Sequence, residues 1–212
     1  MNLFLFILPA AFATAAMAQP SPAPGMGPDN INGIWKVEWT EALWKHGSAF
    51  EIEDGKIKGT PFLARVENQR LMVTQLDRPE GLSLKLMPNG SWTTKIGALA
   101  ITISRLEGNP LVESQKTDLN GTWSLKVYGS KDRILIFSGN RLTGLSTGEN
   151  RTQFEGKALV LNADDGTMVR VYMNDPRQWM GFGRFPNEGP FSGAEHLSGY
   201  RPAVLIRDGV GH

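Results

Sequence analysis

The sequence predicts an all-β protein made of two related antiparallel units, each a small barrel or sandwich. Three observations predict it: apolar residues alternate with polar ones, glycine-containing turns separate the alternating runs, and one stretch occurs twice. A period of two is typical of half-buried strands, and no capped apolar stripe with helical spacing precedes residue 174. The alternative prediction is one larger barrel to which both copies contribute strands.

The alternation is clearest near the start of the expected fold. Trp35, Val37 and Trp39 share one face of a strand, while Lys36 and Glu38 share the other. Further alternating runs occur at 50–53, 82–86 and 99–103. Hairpin-type turns are expected at the Asp-Gly pair 54–55 and the Asn-Gly pair 89–90.

The repeated stretch predicts a duplicated unit. Residues 31–37 and 119–125 both carry the pattern Asn-Gly-x-Trp, and the second copy begins about 88 residues after the first. Each copy continues with an apolar strand, a glycine turn and a second strand that ends at Gly59 or Gly144. Because similar units recur at a fixed offset, the pattern favours two copies of one β unit.

The two Asn-Gly-x-Trp openings, at Trp35 and Trp123, resemble the openings of calycin-type barrels, the group of lipocalin-like and avidin-like proteins. The resemblance covers about thirty residues of each copy. It implies antiparallel strands wrapped into small barrels, with the opening tryptophan plugging one end. No second lipocalin motif follows, and Trp179 is the only later tryptophan, so the resemblance implies no particular ligand.

The N-terminus has the pattern of a secretory leader. An apolar run at 3–8 precedes the small-x-small sequence at 16–18, so we expect a signal peptide over residues 1–18, with cleavage before Gln19. The expected location is the periplasm or exterior of a Gram-negative bacterium. After this leader, the chain is expected to contain a Pro/Gly-rich tether at 19–30 and two β units at 31–114 and 115–173. An irregular C-terminal arm follows at 174–212.

Composition removes several classes of chemistry. The chain has no cysteine, which excludes disulfides, thiolate catalysis and zinc–cysteine sites. Its 22 basic and 21 acidic residues give a net charge of +1 and are evenly spread, so no nucleic-acid-binding track is expected. Three histidines without ligand spacing predict no metal site and no cofactor. No transmembrane segment is expected in the mature chain.

The arm at 174–212 is the predicted partner-binding segment. Its aromatic residues are separated by glycines, show no period, and leave only 203–206 as a short strand. Large rings supply much of the contact energy in protein interfaces, so we expect a protein partner there. The alternative is that the arm packs back on its own barrel and closes it. The predicted partner-binding residues are Trp179, Phe182, Phe185, Phe191 and Tyr200.

Two tryptophans are candidates for a small-molecule site. Trp39 and Trp44 are the predicted ligand-binding residues, and Trp44 and Trp179 are expected to be exposed because they lie outside alternating strands. Trp35 and Trp123 are expected in the core.

One motif formally matches a serine hydrolase. Residues 144–148 fit G-x-S-x-G with Ser146, and acidic residues and His196 follow in hydrolase order. The motif needs a strand that turns sharply into a helix, and no helix is predicted after it. A strand end with a glycine turn is therefore the preferred interpretation, and His46 is expected in a solvated turn.

Three function hypotheses follow. The first is a non-catalytic envelope protein that engages a protein partner, for example as a cofactor-free small subunit of a periplasmic enzyme complex. The second is a calycin-like binder of a small apolar or aromatic ligand, and the third is a serine hydrolase.

Overall fold

The protein is all-β, with antiparallel strands in two separate eight-stranded sheets. The computed structural model describes residues 30–41, 44–76, 78–106, 118–188 and 199–209, and those ranges contain no helix. Within them, no segment therefore qualifies as a membrane-spanning helix. The fold class predicted from the alternation is confirmed, and the single larger barrel is wrong because the two sheets share no strand.

The first sheet, barrel one, is closed. Each strand pairs with the next, and the last pairs back with the first, where Trp35 lies opposite Arg105. Its strands are β1 (Gly33–Glu41), β2 (Trp44–Glu53), β3 (Lys56–Ile57), β4 (Phe62–Glu67), β5 (Arg70–Gln75), β6 (Arg78–Leu86), β7 (Trp92–Ile96) and β8 (Leu99–Arg105).

The second sheet, barrel two, is nearly closed. Its order is β11-β10-β9-β16-β15-β14-β13-β12, so the last strand pairs with the first while β11 and β12 are left as unpaired edges. Its strands are β9 (Gly121–Val127), β10 (Arg133–Ser138), β11 (Arg141–Thr143), β12 (Asn150–Glu155), β13 (Ala158–Ala163), β14 (Met168–Asp175), β15 (Gln178–Arg184) and β16 (Tyr200–Arg207).

The segment predicted as an irregular arm holds two full strands of barrel two, where one short strand was expected. Glycines hid β15 from the pattern: a Cβ at Gly181 would clash with the carbonyl of Arg170 on β14, and one at Gly183 would overlap the Phe185 ring. A glycine inside a strand often marks such close approach. The described part of the segment closes its own barrel, which was the alternative prediction.

The duplication extends to side-chain contacts. In barrel one, the indole Nε1 of Trp35 donates to the carbonyl of Ile31 at 2.8 Å. In barrel two, the indole Nε1 of Trp123 donates to the carbonyl of Leu119, also at 2.8 Å. Both tryptophans are buried, as predicted for the core.

An arginine from the last strand of each barrel covers the opening tryptophan. The guanidinium carbons of Arg105 and Arg207 lie 4.6 and 5.5 Å from the ring centroids, within cation–π range. Each arginine also donates to the carbonyl of the asparagine in its own opening, Asn32 or Asn120. Two barrels that share this tryptophan–arginine–asparagine arrangement support duplication of one unit.

Both barrel interiors are packed with their own side chains. Barrel one encloses Trp35, Phe50, Ile52, Ile57, Ala64, Leu71, Leu84, Trp92 and Ile103. The largest buried side chains of barrel two include Trp123, Trp179, Phe185, Leu135, Leu159, Leu161 and Leu205.

A third apolar cluster joins the barrels. The outer face of β2 packs on the outer faces of β14, β15 and β16, with Ala49 buried among Ala158, Val160, Tyr172 and Met180. This contact explains why four consecutive residues of β13 are buried: one face lines barrel two and the other meets barrel one. The two barrels are therefore held by an apolar interface of the kind that buries surface in a domain core.

Candidate functional site

Two of the five predicted partner-binding residues are in the core of barrel two. Trp179 and Phe185 are only 0 % and 1 % exposed. The exposure predicted for Trp179 is wrong because β15 is a regular strand that points this ring inward. Because both side chains are enclosed in the core of barrel two, they stabilise the barrel and are not accessible to a partner protein.

Phe182 and Tyr200 lie between the barrels. Phe182 packs against the core cluster of barrel one, and the Tyr200 ring meets Phe62 of β4 edge-on at a centroid distance of 6.4 Å. Their contacts are therefore with the first half of the same chain. Phe191 lies outside the described residues.

Trp39 belongs to an aromatic cluster at the junction of the barrels. The His46 ring stacks on it at a centroid distance of 5.4 Å, and Tyr128, directly after β9, meets both rings edge-on at 5.8 and 5.0 Å. His46 lies on β2 and is half-buried, so its expected place in a solvated turn is wrong. Trp44 is also on β2, contrary to expectation, and its side chain lies outside the described part.

A polar network crosses the same interface. Lys58 pairs with Glu53 at 2.9 Å and with Glu51 at 3.6 Å, and the bond to Glu53 raises the pKa of Lys58. On the barrel-two side, Arg170 pairs with Glu155. Between these groups the Tyr172 hydroxyl is buried, and burial raises its pKa.

Two hydroxyl groups of this interface differ in hydrogen bonding. The Ser48 hydroxyl donates to the carbonyl of Gly181 at 2.6 Å in a buried position. Burial raises the pKa of the Tyr172 hydroxyl, whereas interactions with the Arg170 side chain and the Glu51 backbone lower it. The first hydroxyl links the barrels by one bond, and the second lies between polar groups of both barrels.

Removing each hydroxyl is expected to weaken the contact between the barrels. Ser48→Ala should lower the free energy of unfolding by about 1 kcal/mol because a buried hydrogen bond between the barrels is lost. Tyr172→Phe should lower it by a similar or smaller amount, because the contacts with Arg170 and the Glu51 backbone are lost while burial of the hydroxyl no longer costs free energy. Urea denaturation of both variants measures the two losses, and a more stable Ser48→Ala variant would contradict a stabilising bond at Gly181.

The serine motif has the geometry of a loop between two strands. Ser146 lies between β11 and β12, and its backbone N–H and hydroxyl both contact Oδ1 of Asn150, at 2.9 and 3.2 Å. The amide of Asn150 donates to the carbonyls of Ser146 and Gly148. A strand, not a helix, follows the motif, so the context that presents a nucleophilic serine is not formed.

The acidic turn at 162–166 is a hairpin between β13 and β14. Asp165 accepts a hydrogen bond from the backbone N–H of Thr167 at 2.8 Å, which lowers the pKa of its carboxyl. Among the described residues, no group of three His, Asp or Glu side chains is placed to hold a metal ion.

The outer face of β10 carries an apolar surface that water reaches. Ile134 and Ile136 point away from the barrel and are 55 % and 50 % exposed. Their cross-strand neighbours on β9 are Ser124 and Thr122, and Thr143 of β11 also lies opposite Ile136. We call this surface the β10 face.

The β10 face corresponds to the buried face of β2. Trp35 lies opposite Phe50 in barrel one, and Trp123 lies opposite Leu135 in barrel two. This register makes Ala49 the equivalent of Ile134. Ala49 is 1 % exposed against barrel two, whereas its counterpart is open to solvent.

Barrel two also has an open seam beside this face. A groove of about 760 Å³ is lined by the edge strands β11 and β12, which lie close together without pairing. Arg141 lines the groove on the β11 side, and Glu149 and Arg151 line it on the β12 side. We call this groove the seam.

Comparison with protein-family models, with curated proteins and with solved structures finds no match to this chain. In barrel two, the β10 face is an apolar surface that no described residue covers.

Sequence reasoning missed the β10 face and the seam. The run at 134–137 is apolar at every position, which in a strand indicates that both faces meet apolar surroundings. Only the inward pair, Leu135 and Phe137, is buried in the described structure. That excess of apolar residues was the available signal for a second contact surface. The seam left no signal, because the approach of two edge strands depends on tertiary geometry.

Proposed function

We propose that this protein is a non-catalytic, exported envelope protein that engages another protein through the β10 face. The leader pattern at 1–18 supports export. The observation that carries the proposal is the exposure of Ile134 and Ile136 side by side on one strand face, at 55 % and 50 %. A role as a small subunit of a periplasmic enzyme complex is consistent with such a surface.

The duplicated unit supports this use of the face. In barrel one the corresponding strand surface, around Ala49, is an interface with another barrel. Barrel two carries two isoleucines, Ile134 and Ile136, at the positions equivalent to Ala49 and Glu51, and no described residue covers them. Burial of apolar surface contributes about 25 cal/mol per Å², so covering two isoleucines favours association.

The same comparison indicates the chemistry of the partner. Barrel one docks on the outer face of a β-sheet that presents Tyr172, Met180 and Val204. We infer that the partner of the β10 face is a protein with a comparable apolar sheet surface. In barrel one, the surface that corresponds to β14–β16 is the outer side of β6–β8. It carries the polar residues Ser83, Lys85, Thr93 and Thr102. Docking of the β10 face onto this surface of a second copy, which would build a head-to-tail array, is therefore not favoured.

Charged substitutions on the β10 face test the proposal. The double variant Ile134→Lys/Ile136→Lys should lose a partner that the tagged wild-type protein retains from its own periplasm. Its folding should be nearly unchanged, since exposed substitutions typically alter stability by about 0.5 kcal/mol or less. Affinity capture with quantification of the retained protein measures the loss.

Ile96→Lys is the matched control, because Ile96 of β7 is also 55 % exposed but lies on barrel one. It should retain the partner. If the double variant captures the partner as well as the control does, the β10 face is not the docking site. If light scattering shows a wild-type dimer that the double variant loses, a second copy is the occupant.

A further inference from the structure

We propose that barrel one docks on the anionic surface of a lipid bilayer through basic side chains on the outer side of β4–β7. These side chains are exposed and belong to Arg65, Arg70, Lys85 and Lys95. We call them the basic patch. The inference goes beyond the proposed function, because it concerns barrel one and requires no protein partner.

The register of barrel one brings these cations together, although basic residues are evenly spread along the chain. Arg70 on β5 lies directly opposite Lys85 on β6. Lys95 on β7 is two residues beyond Thr93, the cross-strand partner of Lys85. Residues two apart in a strand point to the same face, so all three cations lie on the outer side, each within about 8 Å of the next along the backbone.

The charge of the basic patch is not neutralised by the described residues. On the outer side of β4–β7 they include one acidic side chain, Glu67, which lies opposite Arg70 but pairs with Arg65 at 2.7 Å. The other three cations have no ion-pair partner among the described residues. Like charges directly opposite each other on neighbouring strands are destabilising. An anion bound over Arg70 and Lys85 would therefore stabilise this pair.

The basic patch faces away from barrel two. Barrel two packs on the outer face of β2. In the closed order of barrel one, β6 is four strands from β2 in either direction, so Lys85 lies on the opposite side of the barrel. An extended surface can therefore approach the patch while the β10 face of barrel two remains accessible.

The shape and composition of the patch favour a bilayer as the occupant. The patch spans four strands on the convex outside of a closed barrel, which suits an extended surface better than a small anion. The side chains between the cations are Ser83, which accepts a hydrogen bond from Arg70 at 3.2 Å, Thr93 and the half-buried Met72. Protein interfaces are enriched in aromatic residues and depleted in lysine, unlike this patch. Anionic lipid headgroups, in contrast, attract clustered Lys and Arg side chains.

Flotation with lipid vesicles tests the inference on the purified protein. Vesicles of equal parts phosphatidylglycerol and phosphatidylcholine should carry the wild-type protein with them, whereas vesicles of phosphatidylcholine alone should not. Binding to the anionic vesicles should weaken as salt is added, because salt screens the attraction between exposed charges.

The decisive variant is Arg70→Gln/Lys85→Gln/Lys95→Gln, which removes the three cations that lack an ion-pair partner among the described residues. Each cation lost near an anionic bilayer should weaken vesicle binding about fivefold, so the triple variant should bind roughly a hundredfold more weakly. Circular dichroism establishes that the variant is folded, as expected for substitutions at exposed positions.

The matched control is Lys126→Gln/Lys131→Gln/Arg141→Gln, which removes the same amount of charge from exposed positions of barrel two. It should bind the anionic vesicles nearly as the wild type does. The inference is overturned if the wild-type protein does not float with anionic vesicles, or if the control loses as much binding as the patch variant.

Binding of a soluble polyanion such as heparin, without binding to vesicles, would also overturn the inference, since a polymer would then be the occupant. The vesicle experiment contains no other protein. Its failure therefore leaves the β10 face to be judged by partner capture with the Ile134→Lys/Ile136→Lys variant, and loss of that capture dependence leaves the vesicle result standing.

Discussion

Replacing Trp123 by alanine is expected to lower the free energy of unfolding by about 3–5 kcal/mol, the largest single-residue effect we expect in barrel two. The indole is fully buried, so its removal leaves a large cavity. It also removes the hydrogen bond to the Leu119 carbonyl and the surface on which Arg207 lies. Since domains have only about 5–15 kcal/mol of stability, this loss is a large fraction of the total.

Urea denaturation followed by far-ultraviolet circular dichroism measures the effect. Trp123→Phe is the control: it fills much of the space but loses the indole N–H, so we expect a smaller loss. Trp35→Ala should resemble Trp123→Ala because the two openings make the same contacts. A loss below about 1 kcal/mol for Trp123→Ala would contradict its role as a core residue.

The second large effect is expected at the interface between the barrels. Ala49→Lys should destabilise the protein by about 3 kcal/mol or more, because the lysine ammonium would enter a cluster formed by Val160, Tyr172 and Met180. The change combines overpacking with burial of an unpaired charge. Thermal and urea unfolding of the variant report the loss.

The equivalent position in barrel two supplies the matched comparison. Ile134→Lys places the same side chain on the same strand position of the duplicated unit, where it is exposed, so stability should change by about 0.5 kcal/mol or less. Equal effects of the two substitutions would contradict the burial of Ala49 and the exposure of Ile134.

The fold was predictable where the pattern reflects one buried face. Trp35, Val37 and their alternating polar neighbours gave β1 because one side of that strand faces the barrel interior. The openings at 31–37 and 119–125 predicted the duplication because each asparagine and tryptophan makes local contacts, within four residues or a single hairpin. Local contacts leave a signature in the sequence.

The prediction differed from the structure where tertiary contacts replaced the pattern. In β15, Gly181 and Gly183 stand where neighbouring groups leave no room for a side chain, so the strand read as an irregular arm. Trp179 was therefore expected on the surface and is buried. The sequence predicts His46 in a turn, but His46 lies on β2, where its ring stacks on Trp39 of the neighbouring strand. Such a cross-strand contact is not evident from the order of residues in the chain.

The candidate sites depended even more on tertiary structure. The aromatic residues of 174–188 and 199–209 looked like a partner surface because they lacked a period, yet Phe182 and Tyr200 contact barrel one. The β10 face emerged only when the register placed Ile134 opposite Ser124 and equivalent to Ala49. Which apolar face is left uncovered is a property of the assembled barrels.

The most direct test of the account is site-specific photo-crosslinking in the cell that makes this protein. Ile136 is replaced by p-benzoylphenylalanine, and Ile96, the exposed isoleucine of barrel one, is replaced in parallel. We expect one discrete crosslinked protein, identified by mass spectrometry, from position 136 and none from position 96. No crosslink at position 136, or the same products at both positions, would contradict a partner-binding role for the β10 face.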